Sequence, residues 1–354
     1  MNKNKQLNCI SKKYFVLNTF SCIILIIIYL TMYKENIDDI ASDSEMYYWQ
    51  SSLLNNNISC VYNNKSDVLP SLEDHVPPEK SIYFIETSCR NGLNSREACA
   101  VESAAKAHSK WQINVLFSNA ITADTMNMSS LTTLKGFHNV KLMKIDIKKI
   151  KKFSQLANKI INKSIYPAEQ LSHLLRFETL RTWGGVYLDF DVIVVRSFDS
   201  LPKNWVARET ANSIGSAILA FARDDVGRNF SEAILREINS TFVPNDWSYK
   251  GSDTVTRVFR RKCTPRKPVD WSARTCQDFN VFDPTLFYPV GDFQSKVYLR
   301  EGHLRVGGVY THHMWNQKTK GAIIHKDSPY ARLARRFCPR IYKTFGQMFG
   351  EDGI

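Results

Sequence analysis

An α/β fold with a mostly parallel central sheet is predicted by three observations on this 354-residue chain. From residue 79 onward, short apolar runs of strand length alternate with stretches of helical period. The runs are almost continuously apolar, as strands covered on both faces are. A 44% hydrophobic content supplies a sizeable core and excludes disordered, collagen-like and low-complexity architectures.

The elements follow in order. Residues 1–13 carry Lys3, Lys5, Lys12 and Lys13 and no acid, and residues 14–33 (YFVLNTFSCIILIIIYLTMY) carry no charge over twenty residues. As a helix that stretch is about 30 Å long, enough to cross a bilayer, and too long for the apolar part of a cleaved signal peptide. Glu35, Asp38, Asp39, Asp43 and Glu45 follow it. The charge bias predicts a short cytosolic tail (1–13), a transmembrane signal anchor (14–33) and a lumenal remainder. Residues 34–78, rich in Asn, Ser and acids and closed by Pro77-Pro78, read as a flexible stem, leaving a lumenal domain at 79–354.

Within that domain, residues 81–85 (SIYFI) predict a first strand, and 95–108 a helix with Ala98, Val101, Ala104 and Ala105 on one side. Residues 113–118 and 140–145 predict the next strands. A helix over 168–182 is stopped by Gly184-Gly185, after which 186–195 (VYLDFDVIVV) resumes strand character as one element. Apolar residues every four positions across 330–349, interleaved with Arg332, Arg335, Arg336, Arg340 and Lys343, predict a helix interrupted at Pro339. No GxGxxG, P-loop or internal repeat occurs, so ordinary dinucleotide or ATP binding has no support.

Compartment and charge agree with this organisation. Asn-x-Ser/Thr sequons begin at Asn57, Asn64, Asn127, Asn162, Asn229 and Asn239, all past the apolar span. Six cysteines follow it too, and proximity in sequence suggests two small loops, Cys89 with Cys99 and Cys263 with Cys276, leaving Cys60 and Cys338 unassigned. The net charge of +13 divides between the four N-terminal lysines and the last hundred residues, which hold 18 Lys+Arg against 8 Asp+Glu. A basic C-terminal third suits a diphosphate and a membrane surface, and nucleic acid is not needed to explain it.

Chemistry concentrates in V-Y-L-D-F-D-V-I-V-V, where Asp189 and Asp191 interrupt apolar sequence. Buried carboxylates are costly unless compensated, and a two-residue period puts both on one side of an extended chain, where a hard cation such as Mn²⁺ or Mg²⁺ would serve both. Arg176 precedes them on a helix, His313 offers an imidazole, and Lys318 and Lys320 can neutralise phosphate.

Residues 172–176 (SHLLR) and 184–191 (GGVYLDFD) resemble the S-D-x-x-R and GG-x-Y-x-D-x-D signature of alpha-1,4-glycosyltransferases, the lactosylceramide 4-alpha-galactosyltransferase family with its insect alpha-1,4-N-acetylgalactosaminyltransferases. The resemblance continues through 84–88 (FIETS), 101–105 (VESAA), 256–259 (TRVF), 287–289 (FYP) and 313–316 (HMWN), covering about residues 80–340. It implies a GT-A-type nucleotide-sugar transferase in the Golgi membrane with single-pass type II topology. The implied reaction is retaining, alpha-1,4 transfer of galactose or N-acetylgalactosamine from UDP-Gal or UDP-GalNAc to the terminal sugar of a glycosphingolipid, with Mn²⁺ or Mg²⁺.

Carried over by position, the resemblance makes Asp189, Asp191 and Arg176 catalytic and Asp189, Asp191 and His313 the metal set. Glu86, Thr87, Ser172, His173, Arg176, Tyr187, Asp189 and Lys320 would bind the donor; apart from the carry-over, Asp246, Trp247 and Asp253 are candidates for acceptor contact or base work. A homodimer is admitted as a further partner. Two departures stand out: His173 occupies a position where the signature has Asp, and Gly251-Ser252-Asp253 replaces the usual Gly-Pro. They leave open a catalytically impaired relative acting as a sugar-nucleotide-binding or partner-binding Golgi protein.

Overall fold

The computed structural model describes residues 68–351, apart from 89, 91, 150, 151, 245–250, 305 and 306. The expected tail and span at 1–33, most of the stem, and Asn57, Asn64, Cys60, Cys89, Asp246 and Trp247 lie outside the described residues. No helix among the described residues is long and apolar enough to cross a membrane.

Strands β1 (Ser81–Glu86), β2 (Gln112–Phe117), β3 (Val140–Lys144), β4 (Gly185–Leu188), β6 (Trp205–Arg208), β7 (Ile214–Phe221) and β8 (Asn280–Phe282) form a seven-stranded sheet in the order β3-β2-β1-β4-β7-β6-β8. Strands β1 to β4 are mutually parallel, and β7 runs antiparallel to both β4 and β6. The mostly parallel sheet expected from the sequence is present. Among the described residues its α-helices of seven or more residues are α1 (Ser95–Ala107), α2 (Ser129–Lys135), α3 (Ser154–Lys163), α4 (Pro167–Trp183), α5 (Asp225–Ser240), α6 (Gly251–Lys262), α7 (Pro329–Phe337) and α8 (Pro339–Phe345).

Every residue of β1 is buried, because the pleat sends alternate side chains into two separate cores. Ile82 and Phe84 pack with α1, α2, α7 and α8 through Ala98, Val101, Leu131, Leu333 and Ile341. Tyr83 and Ile85 pack with α3 to α6 through Leu156, Leu174, Phe177, Phe230 and Phe259. Asn94 and Glu97 form a reciprocal capping box that starts α1. The C-terminal amphipathic run breaks at Pro339 as expected, and its apolar residues Leu333 and Ile341 cover the first core.

Three expectations are corrected. The stem boundary at 78 is too late: Leu69 and Leu72 are buried, Val68 N–H donates to Ile121 O at 3.0 Å, and Lys144 N–H donates to Pro70 O at 2.9 Å. The Lys144 contact covers the last residue of the edge strand β3, which would otherwise expose an unpaired backbone group. The single strand over 186–195 is two: after β4 the chain turns at Asp189, with Val192 N–H donating to Asp189 O at 3.1 Å, and β5 (Val192–Val194) leaves the main sheet to pair antiparallel with β9 (Thr311–His313). A continuous apolar run cannot reveal such a change of sheet, since both halves are buried. The expected Cys89–Cys99 loop gives way to Cys99–Cys338, while Cys263–Cys276 is present. Cys99 lies in the middle of α1, on the side that receives α7 and α8, so the helix packing brings Cys338 to it, with the Cα atoms 5.0 Å apart.

Candidate active site

Strands β1, β2 and β3 step outward in one direction, and the chain then returns to place β4 on the other side of β1. Such a reversal opens a crevice at the carboxyl ends of parallel strands. Glu86 ends β1 there, and Asp189 follows β4. Two glycines make the approach: Gly184 caps α4 at φ +67° and Gly185 enters β4 at φ +108°. A Cβ at Gly184 would stand 2.7 Å from Arg223 N, and one at Gly185 would stand 2.6 Å from Ser81 O. Neither conformation nor space admits a side chain.

The change of sheet after β4 brings the candidate metal ligands together. Asp191 precedes β5, and the register Val192↔His313 sets the histidine beside it, with Asp191 Oδ1 at 3.1 Å from His313 Nε2. Asn316 N–H donates to Asp191 Oδ2 at 2.8 Å, and Met314 N–H to Asp191 O at 2.8 Å. Burial alone would raise the Asp191 carboxyl, but the His313 imidazole and the Asn316 amide outweigh it and hold it below the usual range. Burial would likewise lower His313, and the carboxylate of Asp191 reverses the direction. Trp315 holds a left-handed backbone at φ +55°, fixed by its indole N–H to Val290 O at 2.8 Å, with its ring centroid 4.1 Å from that of His313. Strained backbone of this kind gathers at functional sites.

Asp189 is held from the other side. Arg176, almost fully buried on α4, reaches Asp189 Oδ1 at 3.2 Å, and its other N–H groups donate to Ser172 O, Ser172 Oγ and Ser216 O at 3.2, 2.8 and 2.7 Å. The guanidinium lies 4.5 Å over the Tyr187 ring, whose hydroxyl donates to Asp189 Oδ1 at 2.6 Å. Ser172 and Tyr187 therefore position Arg176 and Asp189. Atoms offered by Asp189, Asp191 and His313 all lie within 4.8 Å of one another. Two carboxylates and an imidazole suit Mn²⁺ or Mg²⁺, and the buried, unpartnered Nδ1 of His313 and Oδ1 of Asn316 beside them leave polar capacity unused, so the residues fit a divalent cation.

The remaining expected residues divide. Glu86 Oε1 accepts from Ser88, while Oε2 is buried without a partner, and burial pushes the carboxyl up to about 7 against the Ser88 hydrogen bonds and the Arg90 charge. Thr87 Oγ1 donates to Ala168 O at 2.9 Å, tying β1 to the first turn of α4. His173 Nδ1 has no partner, and burial with the charge of Arg176 holds the ring well below its usual range, hence neutral. Lys320 is exposed on the turn after His313, and Asp253 is exposed on the first turn of α6. Asn127, Asn162, Asn229 and Asn239 are all exposed. Sequence reasoning assigned no role to Glu209, Ser216 or the Tyr288 hydroxyl, although Ser252 Oγ lies within 3.5 Å of both Glu209 and Ser216 and Tyr288 feels the charges of Glu209, Asp189 and Asp191; the available signals were a carboxylate at the end of the W-V-A-R run and the F-Y-P stretch.

Known proteins share this combination. Residues 94–211 match the glycosyltransferase sugar-binding region containing the DXD motif, and residues 223–345 match the alpha 1,4-glycosyltransferase conserved region. The crevice and its aspartate pair are thus those of a sugar-transferring enzyme of the DXD class. Within that class the matched region and the curated relatives are those of alpha-1,4-glycosyltransferases, which this chain resembles. Human lactosylceramide 4-alpha-galactosyltransferase is 26% identical over 294 residues, 78% of this chain and 80% of the relative. Human alpha-1,4-N-acetylglucosaminyltransferase is 26% identical over 333 residues, covering 87% and 94%. A galactosyltransferase solved with donor and acceptor sugar analogues aligns with a TM-score of 0.40 and 14% identity, over 74% of this chain and 95% of that one.

Proposed function

We propose that this enzyme has a GT-A-type fold and moves galactose or N-acetylgalactosamine from a UDP-sugar, with retention and in alpha-1,4 linkage, onto the terminal sugar of a glycosphingolipid. Residues 14–33 would anchor it in the Golgi membrane with the catalytic domain lumenal. The reading rests on one observation above all: Asp189, Asp191 and His313 converge at the carboxyl end of β4, next to the reversal of strand order. Its substrate class follows the relatives' names, and its compartment follows the sequons and the charge bias around the apolar span.

Asp189, Asp191 and His313 would hold Mn²⁺ or Mg²⁺. When bound, such a cation neutralises the negative charge that grows on a departing diphosphate. Arg176 fixes Asp189 in place and adds positive potential beneath it. Glu86, whose burial raises its carboxyl to about 7, keeps a protonated fraction at neutral pH that can donate to a carbonyl of the uracil ring. Lys320, exposed beside the site, is free to swing toward phosphate. In the transfer itself the bond from the anomeric carbon to the diphosphate oxygen breaks, a bond to the acceptor hydroxyl oxygen forms, and the hydroxyl proton passes to the departing diphosphate oxygen.

The test is a donor-by-acceptor screen on the purified protein with Mn²⁺. Transfer from UDP-Gal or UDP-GalNAc to a glycolipid that is lost in Asp191→Asn supports the reading. UDP-sugar binding with no transfer to any acceptor would instead favour the impaired relative that His173 and Ser252 leave open.

A further inference from the structure

Glu209 directly follows β6, and no role given above to a metal ligand, nucleotide contact or phosphate contact uses it. Its Oε2 accepts from Ser252 Oγ at 3.1 Å and its Oε1 from Ser213 Oγ at 3.3 Å. Ser252 Oγ is also 3.5 Å from Ser216 Oγ. The carboxylate is close enough to His313 and Tyr288 to act on both electrostatically. Burial raises its pKa despite the two serine hydrogen bonds.

Strand order places this group. Because β7 is antiparallel to β4 and β6, the start of β7 and the ends of β4 and β6 share one edge of the sheet. Along that edge stand Glu86 at the end of β1, Asp189 after β4, Ser216 near the start of β7 and Glu209 after β6. Glu209 lies two strands over from Asp189, roughly 10 Å laterally on the side away from β1, and about four residues further out along β7, since Asp189 N–H bonds Ala217 O while Glu209 N–H bonds Ser213 O. A nucleotide diphosphate laid with its base at β1 and its phosphates at β4 would have its sugar end pointing there.

The lining there is polar and short of partners. His173 Nδ1 and Tyr288 OH are buried without hydrogen bonds. Gly251 and Gly215 back directly onto these groups: a Cβ at Gly251 would stand 2.6 Å from His173 Nδ1 and 2.7 Å from Ser216 Oγ, and one at Gly215 would meet the Tyr288 hydroxyl. A carboxylate, two serine hydroxyls, a neutral imidazole and a phenol offer acceptors to hydroxyl donors, and a carboxylate in their midst repels phosphate.

Resting on the glycosyltransferase reading, we propose that Glu209, anchored by Ser213 and Ser252, is a specificity-determining residue that accepts hydrogen bonds from hydroxyls of a sugar ring beyond the diphosphate. Two sugars meet at that point, the one transferred and the one receiving it, and the same chemistry recognises either.

Calorimetry with UDP, UDP-Gal and UDP-GalNAc in the presence of Mn²⁺, together with acceptor saturation kinetics, tests this on the full chain and its Glu209→Gln variant. Glu209→Gln is expected to leave UDP affinity within about twofold while one sugar-dependent quantity changes by about 10- to 100-fold, the range of a hydrogen bond to a charged group. A fall in UDP-sugar affinity assigns the hydroxyls to the transferred sugar, and a rise in acceptor KM assigns them to the acceptor. Ser252→Ala, which removes one anchor and keeps the carboxylate, should move the same quantity less than about tenfold. Unchanged UDP-sugar affinity and acceptor KM overturn the assignment. So does a loss of UDP affinity in step with UDP-sugar affinity, which would make Glu209 a support of the β6–β7 turn alone. A wild type that binds no UDP refutes the nucleotide-sugar reading itself, and this assignment with it.

Discussion

Oδ1 of Asp191 lies 3.1 Å from Nε2 of His313, a contact set by two three-residue strands that pair outside the main sheet. Since the two groups are held by that register, either can be altered without opening the core. Asp191→Asn and His313→Ala are expected to lower metal-dependent transfer by at least about 100-fold, because even residues that only orient metal ligands typically cost 10- to 100-fold. Circular dichroism should show both variants folded, and Mn²⁺ titration should show weakened binding. Full activity in either would remove that residue from the metal set.

Arg176 presents a different balance. It is almost fully buried, and Asp189 is its charged partner. Arg176→Met would leave Asp189 without its counter-charge and Ser216 O without its donor. Removing one partner of a buried pair costs about 3–5 kcal/mol, and the low end applies because the Asp189 side chain stays 30% exposed. Denaturant unfolding should show this loss alongside an activity defect.

Glu86 makes stability depend on pH in a defined window. Its carboxyl has an ordinary value of 4.5 and a folded value of about 7, raised by burial. Below the lower value the group is protonated whether folded or unfolded. Between the two, the unfolded chain ionises first, so the contribution to stability falls as pH rises, and above the upper value the penalty levels off at roughly 3 kcal/mol. Glu86→Gln should therefore be more stable than wild type at about pH 8 and nearly equal at about pH 4, as read by denaturant midpoints.

The Cys99–Cys338 bridge spans 239 residues of sequence. Glu102, one turn further along α1, accepts from Arg340 N–H at 3.0 Å and Ile341 N–H at 2.7 Å and so caps α8. Cys338→Ser is expected to cost about 2–5 kcal/mol, the usual range for a native disulfide, and Glu102→Gln to cost about 1 kcal/mol through the weaker cap. Peptide mapping under non-reducing conditions should recover Cys99 joined to Cys338.

How much the sequence reveals depends on the range over which each feature is encoded. Strand and helix alternation is local, so β1, β2, β3, α1 and α4 were legible within a residue or two of their ends. Gly184-Gly185 marked the entry to the site because only glycine adopts those backbone angles. Asp189, Asp191 and His313 were legible as a set through the resemblance, and their proximity follows from a strand pairing that no local pattern encodes. The break between β4 and β5 was hidden by continuous burial. The partner of Cys99 was hidden because it depends on helix packing across most of the domain. Glu209 stayed unseen because a single carboxylate after an apolar run looks like any exposed loop acid until the sheet order is known.

The small β5–β9 sheet also bears on biosynthesis. Asp189 and Asp191 leave the ribosome well before His313, and at roughly 5–20 residues per second the interval is on the order of ten seconds. During that time β5 has no partner strand, Asp191 lacks its imidazole, and Cys99 still awaits Cys338. A chain cut short before residue 311 would retain the main parallel strands and yet be unable to close its cation site. Completion of the C-terminal third thus acts as an assembly checkpoint: the nascent enzyme cannot gain its metal set until nearly all of it has been made.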